Sequence, residues 1–297
     1  MPRIHEIVTK YQLEPKKCIM KGKTVLLETE NGRVAIKEKT RDINTKILTY
    51  LDSRSFPYYP KIIKDDGEYI VTEGIEEVDM PLDQKMMDMI DLLALLHNKT
   101  THYKEVDLDD YKKIYEDISN NIVYLKSYYE DYLSVFTSHV FMSPSEYLFS
   151  RNATKIFTSL EFAKNELESW YELVKEKRKQ RLVVLHNHLD LSHFIKNKNP
   201  YFISWEKAKI GIPIFDFYKL YKKHEIDFEF GELLKRYEQH YPLLEEERKL
   251  LFILMSLPSK VEFHDNLYDD CIVVSRFIDE LYKSEMIISP YYTEQTK

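Results

Sequence analysis

The apolar pattern of this chain changes period once, near Pro81, and that change limits the folds open to it. Before it, "CIMKGKTVLLETENGRVAIKEK" is a run of strand-forming residues, broken at Gly22-Lys23 and turned at Asn31-Gly32. Asn-Gly between two apolar runs supplies the positive-φ residues that a tight hairpin needs. "DINTKILTYLDS" then sets Ile43, Ile47, Leu48 and Leu51 at helical spacing, and "FPYYPKIIKDDGEYIVTEGIEEV" adds two strands turning at Asp66-Gly67. Beyond Pro81 the period becomes helical. "PLDQKMMDMIDLLALLHNKT" is one helix, and residues 107–178 continue in three- and four-residue steps. Breaks are expected at "SHVFMSPSEY", where Ser143-Pro144 would start a new helix, and at "SRNAT". Two short strands, "RLVVLHN" and "PYFISWEKA", interrupt the helices before they resume almost to the end. The expected class is α+β, with a small antiparallel-sheet region over 1–78 and a helical region over 79–297 that carries strands at 181–206.

A chain of 297 residues with 43% hydrophobic and 31% charged residues can bury a large core, and no repeat or low-complexity segment interrupts it. Its net charge of −7 gives no electrostatic footprint for nucleic acid. No apolar run is long enough to span a bilayer, and "MPRIHEIVTKYQ" lacks the apolar core of a signal peptide. With only Cys18 and Cys271, no disulfide framework is expected, and the location indicated is cytoplasmic. The basic run "KEKRKQR" reads as a solvated helix end, and the tyrosines of "YLKSYYEDYL" as packing rather than a cage for a quaternary amine.

The chemistry-bearing stretch is "RLVVLHNHLDLSHFI", from Arg181 to Ile195. His186, His188 and His193 form H-x-H-x4-H around Asp190, residue types that suit a transition metal. The spacing matches no zinc signature, and strand alternation would put His186 and His188 on one side as ordinary hydrogen-bonded histidines.

"VLHNHLDLSHFI" followed by "ISWEKAKIGIPIFDF" resembles the paired motifs of the aminoglycoside phosphotransferase and choline kinase-like family, and is similar also to bacterial spore-coat kinase-like proteins. "LLALLHNKT", "VAIK" and "SLPSKVEF" extend the resemblance over nearly all of the chain. It implies a bilobal protein-kinase-like fold and ATP as cofactor. Lys37 would face the nucleotide phosphates, and the backbone of Glu73, Gly74 and Ile75 would face the base. His186, Glu206 and Asp216 would be supporting residues, with Trp205, Gly211 and Pro213 also matching the motifs.

Three positions depart from the family pattern. His188 stands where the resemblance places the catalytic Asp, His193 where it places the metal-binding Asn, and Ser204 where it places the metal-binding Asp. Magnesium prefers hard oxygen ligands, and phosphoryl transfer depends on the charge those ions neutralise. The substitutions therefore argue against magnesium or manganese and toward a degenerate, pseudokinase-like protein that binds a small molecule or a protein partner. One alternative is an active phosphotransferase for an amine, alcohol or sugar hydroxyl, its cation site rebuilt from Asp190, Glu206 and one histidine; another is a metal-binding or structural protein associated with a spore coat. The helix glutamate that would pair with Lys37 falls near Asn44, and Gly22 is the only glycine of the phosphate loop. The sequence names no acceptor, partner or oligomeric state.

Overall fold

The computed structural model describes residues 15–22, 24–30, 32–39, 42–264 and 266–293. It divides into two compact units: Met1–Thr101 with Val183–Gly211, and His102–Leu182 with Ile212–Lys297. The sequence boundary between 78 and 79 falls inside the first unit. Local contacts account for this. The backbone N–H of Val78 donates to the Lys196 carbonyl (2.9 Å), and Lys196 pairs with Asp88 at 2.5 Å. The helix that begins at Leu82 and the loop that follows Leu185 thus both belong with the sheet.

The first unit is built on five antiparallel strands: β1 (Lys17–Lys21), β2 (Thr24–Thr29), β3 (Gly32–Glu38), β4 (Ile62–Asp65) and β5 (Tyr69–Glu73). Their order is β1-β2-β3-β5-β4. The β2–β3 hairpin pairs Thr29 with Gly32, as the turn signal predicts; Asn31 and Lys23 lie outside the described residues. Alternation in β2 buries Val25 and Leu27 against Ile36 and Val71. Each such side chain contributes about 1.5–3 kcal/mol on burial. Helix α1 (Thr45–Ser53) buries Ile47, Leu48 and Leu51, three of the four residues placed on its apolar face by spacing.

Helix α2 (Leu82–Thr100) carries Met86, Ile90, Leu93 and His97 into the interior of this unit. At its end, the Thr100 hydroxyl donates to the Leu96 carbonyl (2.7 Å) and accepts from the backbone N–H of Val184 (3.0 Å). Strand β7 (Lys179–Leu185) is thereby tied to α2 at the point where the histidine loop leaves it. Within this unit β8 (Phe194–Lys196) pairs with β9 (Pro200–Phe202), and β10 (Lys209–Gly211) pairs with Val183–Leu185 of β7. The sequence reading expected two strands here. Strands β8 and β10 are three residues each, too short for periodicity to mark.

The second unit is mostly helical. Strand β6 (His102–Glu105) pairs with Lys179–Leu182 of β7, and the unit contains α3 (Leu108–Ser138), α4 (Pro144–Val174), α5 (Ile214–His224), α6 (Phe230–His240), α7 (Glu245–Ser256) and α8 (Leu267–Thr293). Helix α4 starts as expected: Ser143 and Glu146 form a reciprocal capping box, with Pro144 in the first turn. The break expected at "SRNAT" is absent, because Ser150–Thr154 lie inside α4. That stretch has no glycine or proline to stop a helix, and Phe149, Ala153, Ile156 and Leu160 continue the buried stripe through it. Arg181 makes a two-pronged ion pair with Glu247 and lies over the Tyr241 ring at 4.5 Å, so the last residue of the basic run is a packed group.

Candidate functional site

The histidine loop rests on an aromatic floor. Trp205 is buried, donates its ring N–H to the Phe202 carbonyl (2.8 Å), and meets Tyr59, Phe56 and His186 edge-on. The backbone N–H of Phe202 donates to the Tyr58 carbonyl (2.9 Å). His186 is fully buried, and its Nε2–H donates to the Ile203 carbonyl at 2.8 Å. That bond fixes its tautomer and joins the two motif segments.

His193 closes the loop. Its Nδ1–H donates to the His188 carbonyl at 2.7 Å. Its backbone N–H donates to the Asp190 carbonyl, and its own carbonyl accepts from Ile203. Asp190 acts locally. Its Oδ1 accepts from the Ser192 N–H (2.7 Å) and the Ser192 hydroxyl (2.5 Å), capping the single 3-10 turn Leu191–His193.

The His188 and His193 rings are 4.3 Å apart. Nδ1 of His188 is buried with no hydrogen-bond partner among the described residues. Burial, then the neighbouring His193 and Lys207, push the His188 imidazole down to about 4. It is therefore neutral at physiological pH.

Ser204 sits in the left-handed region, at φ 67° and ψ 58°, where serine carries a backbone cost. It begins the 3-10 turn Trp205–Lys207, which directs Glu206 at Lys37. Nζ of Lys37 lies 2.5 Å from Glu206 Oε1 and 3.4 Å from the Ser204 hydroxyl. Burial works to raise the Glu206 pKa, but the Lys37 hydrogen bond and charge outweigh it and hold the carboxyl below its usual range. Asn187, also left-handed at φ 60°, donates to the Lys207 carbonyl at 2.8 Å and pins the loop to this turn.

The structure therefore brings Lys37, His188, His193, Ser204 and Glu206 into one unit. Sequence reasoning named each of them but missed the Lys37–Glu206 pair, for which a separation of 169 residues leaves no local signal. Asn44 caps α1 only by its backbone, and the helix has no acid in its first turn, so Glu206 supplies the carboxylate instead. Glu73 and Ile75 flank Gly74, whose N–H donates to the Arg33 carbonyl at 2.9 Å. Asp216 is buried in the first turn of α5, in the second unit.

These residues are not the usual set of magnesium ligands. Among those described, no group of three or more histidine, cysteine, aspartate or glutamate side chains is placed to hold a metal ion. Asp190 caps a turn, Glu206 neutralises Lys37, imidazole is a poor magnesium ligand, and the Ser204 hydroxyl offers an oxygen without the charge of a carboxylate. No described helix is long and apolar enough to cross a membrane.

No family model matches the sequence, and no curated protein matches it. Solved structures do. An aminoglycoside phosphotransferase from Alicyclobacillus acidocaldarius superposes with a TM-score of 0.71 at 11% identity, covering 97% of this chain and 94% of that one. The fold is protein-kinase-like, that of the aminoglycoside phosphotransferases. A spectinomycin phosphotransferase in complex with ADP and spectinomycin has this fold too, with a TM-score of 0.53 at 12% identity and coverage of 95% and 98%. Choline kinase LicA from Streptococcus pneumoniae, with a TM-score of 0.45 at 14% identity and coverage of 94% and 97%, is too distant to add to the assignment. The fold alone does not assign a role to Lys37 or to the histidine loop. What they do depends on the side chains present.

Proposed function

We propose that this chain is a degenerate kinase-like protein of the aminoglycoside phosphotransferase and choline kinase-like group, which acts by binding a ligand or partner and not by transferring phosphate. The observation that carries this reading is the pairing of Lys37 with Glu206 beside a Ser204 that holds no charge. Phosphoryl transfer requires a group that orients the acceptor hydroxyl and cations that neutralise the phosphates. On the resemblance, those positions are His188, His193 and Ser204. One is a weakly basic neutral imidazole, one has its Nδ1 committed to a carbonyl, and one is a serine. Lys37, Glu73 and Ile75 remain for a nucleotide, with Lys37 already neutralised by an internal carboxylate. His186 and Asp216 are supporting residues in this reading.

The second reading is an active ATP-dependent phosphotransferase with a hydroxyl acceptor. Lys37 favours it, and so does the named activity of the structural neighbours. A thermal-shift titration with ATP, alone and with magnesium or manganese, separates the two. The first reading expects little or no metal-dependent rise in melting temperature. A large rise that needs the metal would overturn it and favour turnover.

A further inference from the structure

Helix α8 is amphipathic twice over. One side packs inward through Val274, Phe277, Leu281 and Ile288. The opposite side exposes Tyr268 (73%), Ile272 (51%), Tyr282 (53%) and Met286 (58%), with Ser275 and Asp279 exposed between them. These six positions, 268, 272, 275, 279, 282 and 286, advance by alternating steps of four and three. That is the spacing of a coiled-coil seam, in which two heptad positions meet a partner helix. The inward face carries the packing of α8; in the outer seam Tyr282 also has Nζ of Lys155 4.9 Å from its ring, which leaves the ring half exposed.

Steps of four, three, four, three and four read the same from either end, so the spacing admits an antiparallel copy of itself. Counted from its centre at position 277, 268 mirrors 286, 272 mirrors 282, and 275 mirrors 279. In an antiparallel pair of identical helices, each position meets its mirror. Tyr268 then packs on Met286 of the second copy, Ile272 on Tyr282, and Ser275 can donate its hydroxyl to the Asp279 carboxylate. Arg276 flanks the centre with its side chain 63% exposed, held only within its own helix by Glu280 at 3.5 Å. It would lie one residue along the axis, about 1.5 Å, from Asp279 of the second copy. Asp279 has no ion pair among the described residues. The two arginines, each also beside Glu280 of its own helix, would thus meet the two otherwise unpaired aspartates between apolar layers. A twofold interface needs this self-complementarity, because every contact is made twice.

We propose that α8 pairs antiparallel with α8 of a second copy of this chain, through Tyr268, Ile272, Ser275, Asp279, Tyr282 and Met286. A seam of about 27 Å on one helix is short, so the association is reversible and concentration-dependent.

Sedimentation velocity of the full chain, from low-micromolar to sub-millimolar protein, tests it. The average mass should rise from one chain toward two. Arg276→Asp and Asp279→Arg should each weaken association about tenfold or more by placing like charges together. Mixing these two variants, or combining them in one chain, should restore it, because opposite charges again face each other. Ile272→Arg should abolish it. All these side chains are exposed, and circular dichroism checks that each variant is folded. A single chain at every concentration would leave the seam to a different partner and overturn the proposal. A dimer indifferent to Ile272→Arg or to the charge exchange would also overturn it.

Discussion

Lys37 of β3 and Glu206 of the 3-10 turn after β9 form an ion pair at 2.5 Å, with the glutamate side chain only 12% exposed. A carboxylate is an anion on the same lysine that the resemblance assigns to phosphate, so the two would compete for Nζ. Glu206→Gln keeps the shape and removes the charge. Its expected effect is a severalfold gain in ATP affinity in the presence of EDTA, read by calorimetric titration. Unchanged or weaker binding would mean that Glu206 positions Lys37 and does not compete for it.

The three positions that depart from the pattern of the resembled family can be substituted together. His188→Asp, His193→Asn and Ser204→Asp return a carboxylate for the acceptor hydroxyl and oxygen ligands for a hard cation. Aspartate tolerates the left-handed backbone at position 204 better than most residues. The triple variant is expected to show a rise in melting temperature that needs ATP and magnesium together, where the natural chain shows little. If it shows none, more of the site than these three positions has been lost.

His188 gives a pH dependence with a defined sign. Its pKa is 6.5 when unperturbed, and burial, then His193 and Lys207, lower it to about 4 in the folded chain. Above pH 6.5 the ring is neutral in both states, and the folded state loses nothing. Between about 6.5 and 4 only the unfolded chain takes up the proton, so stability falls as the pH falls through that window. Chemical denaturation across it, comparing the natural chain with His188→Leu, should show a shallower decline in the variant. Parallel curves would rule out a depressed His188.

Most of the fold is legible because its signals are local. Asn31-Gly32, the run of Ile47, Leu48 and Leu51, and the Ser143–Glu146 capping box each lie within a few residues, and β2–β3, α1 and α4 follow from them. The site is legible only as a set of positions. That Glu206 would replace a helix acid as the partner of Lys37 depends on the left-handed turn at Ser204, which no propensity marks in a serine. In the sequence Asp190 reads as a spare carboxylate for a cation. Its partner is Ser192, two residues away, a turn-forming pairing that the sequence allowed but did not distinguish from metal binding.

Gly74 shows how the neighbouring strand β3 sets the segment between Glu73 and Ile75. A Cβ added there would lie 2.9 Å from the Arg33 carbonyl carbon, the Arg33 Cβ and the Val34 nitrogen. Two of these are backbone atoms of β3, which also pairs with β5 through Val34 and Glu73 and cannot retreat without breaking that ladder. Gly74→Ala must therefore push the chain outward and weaken the hydrogen bond from its N–H to the Arg33 carbonyl. The expected cost is about 1–3 kcal/mol in denaturant unfolding, the usual range for overpacking. If Glu73 and Ile75 do face a nucleotide base, the same variant should also lose ATP affinity beyond what its lower stability explains. A destabilised variant with unchanged affinity, measured well below its melting temperature, would remove this segment from the binding site and leave it a structural link.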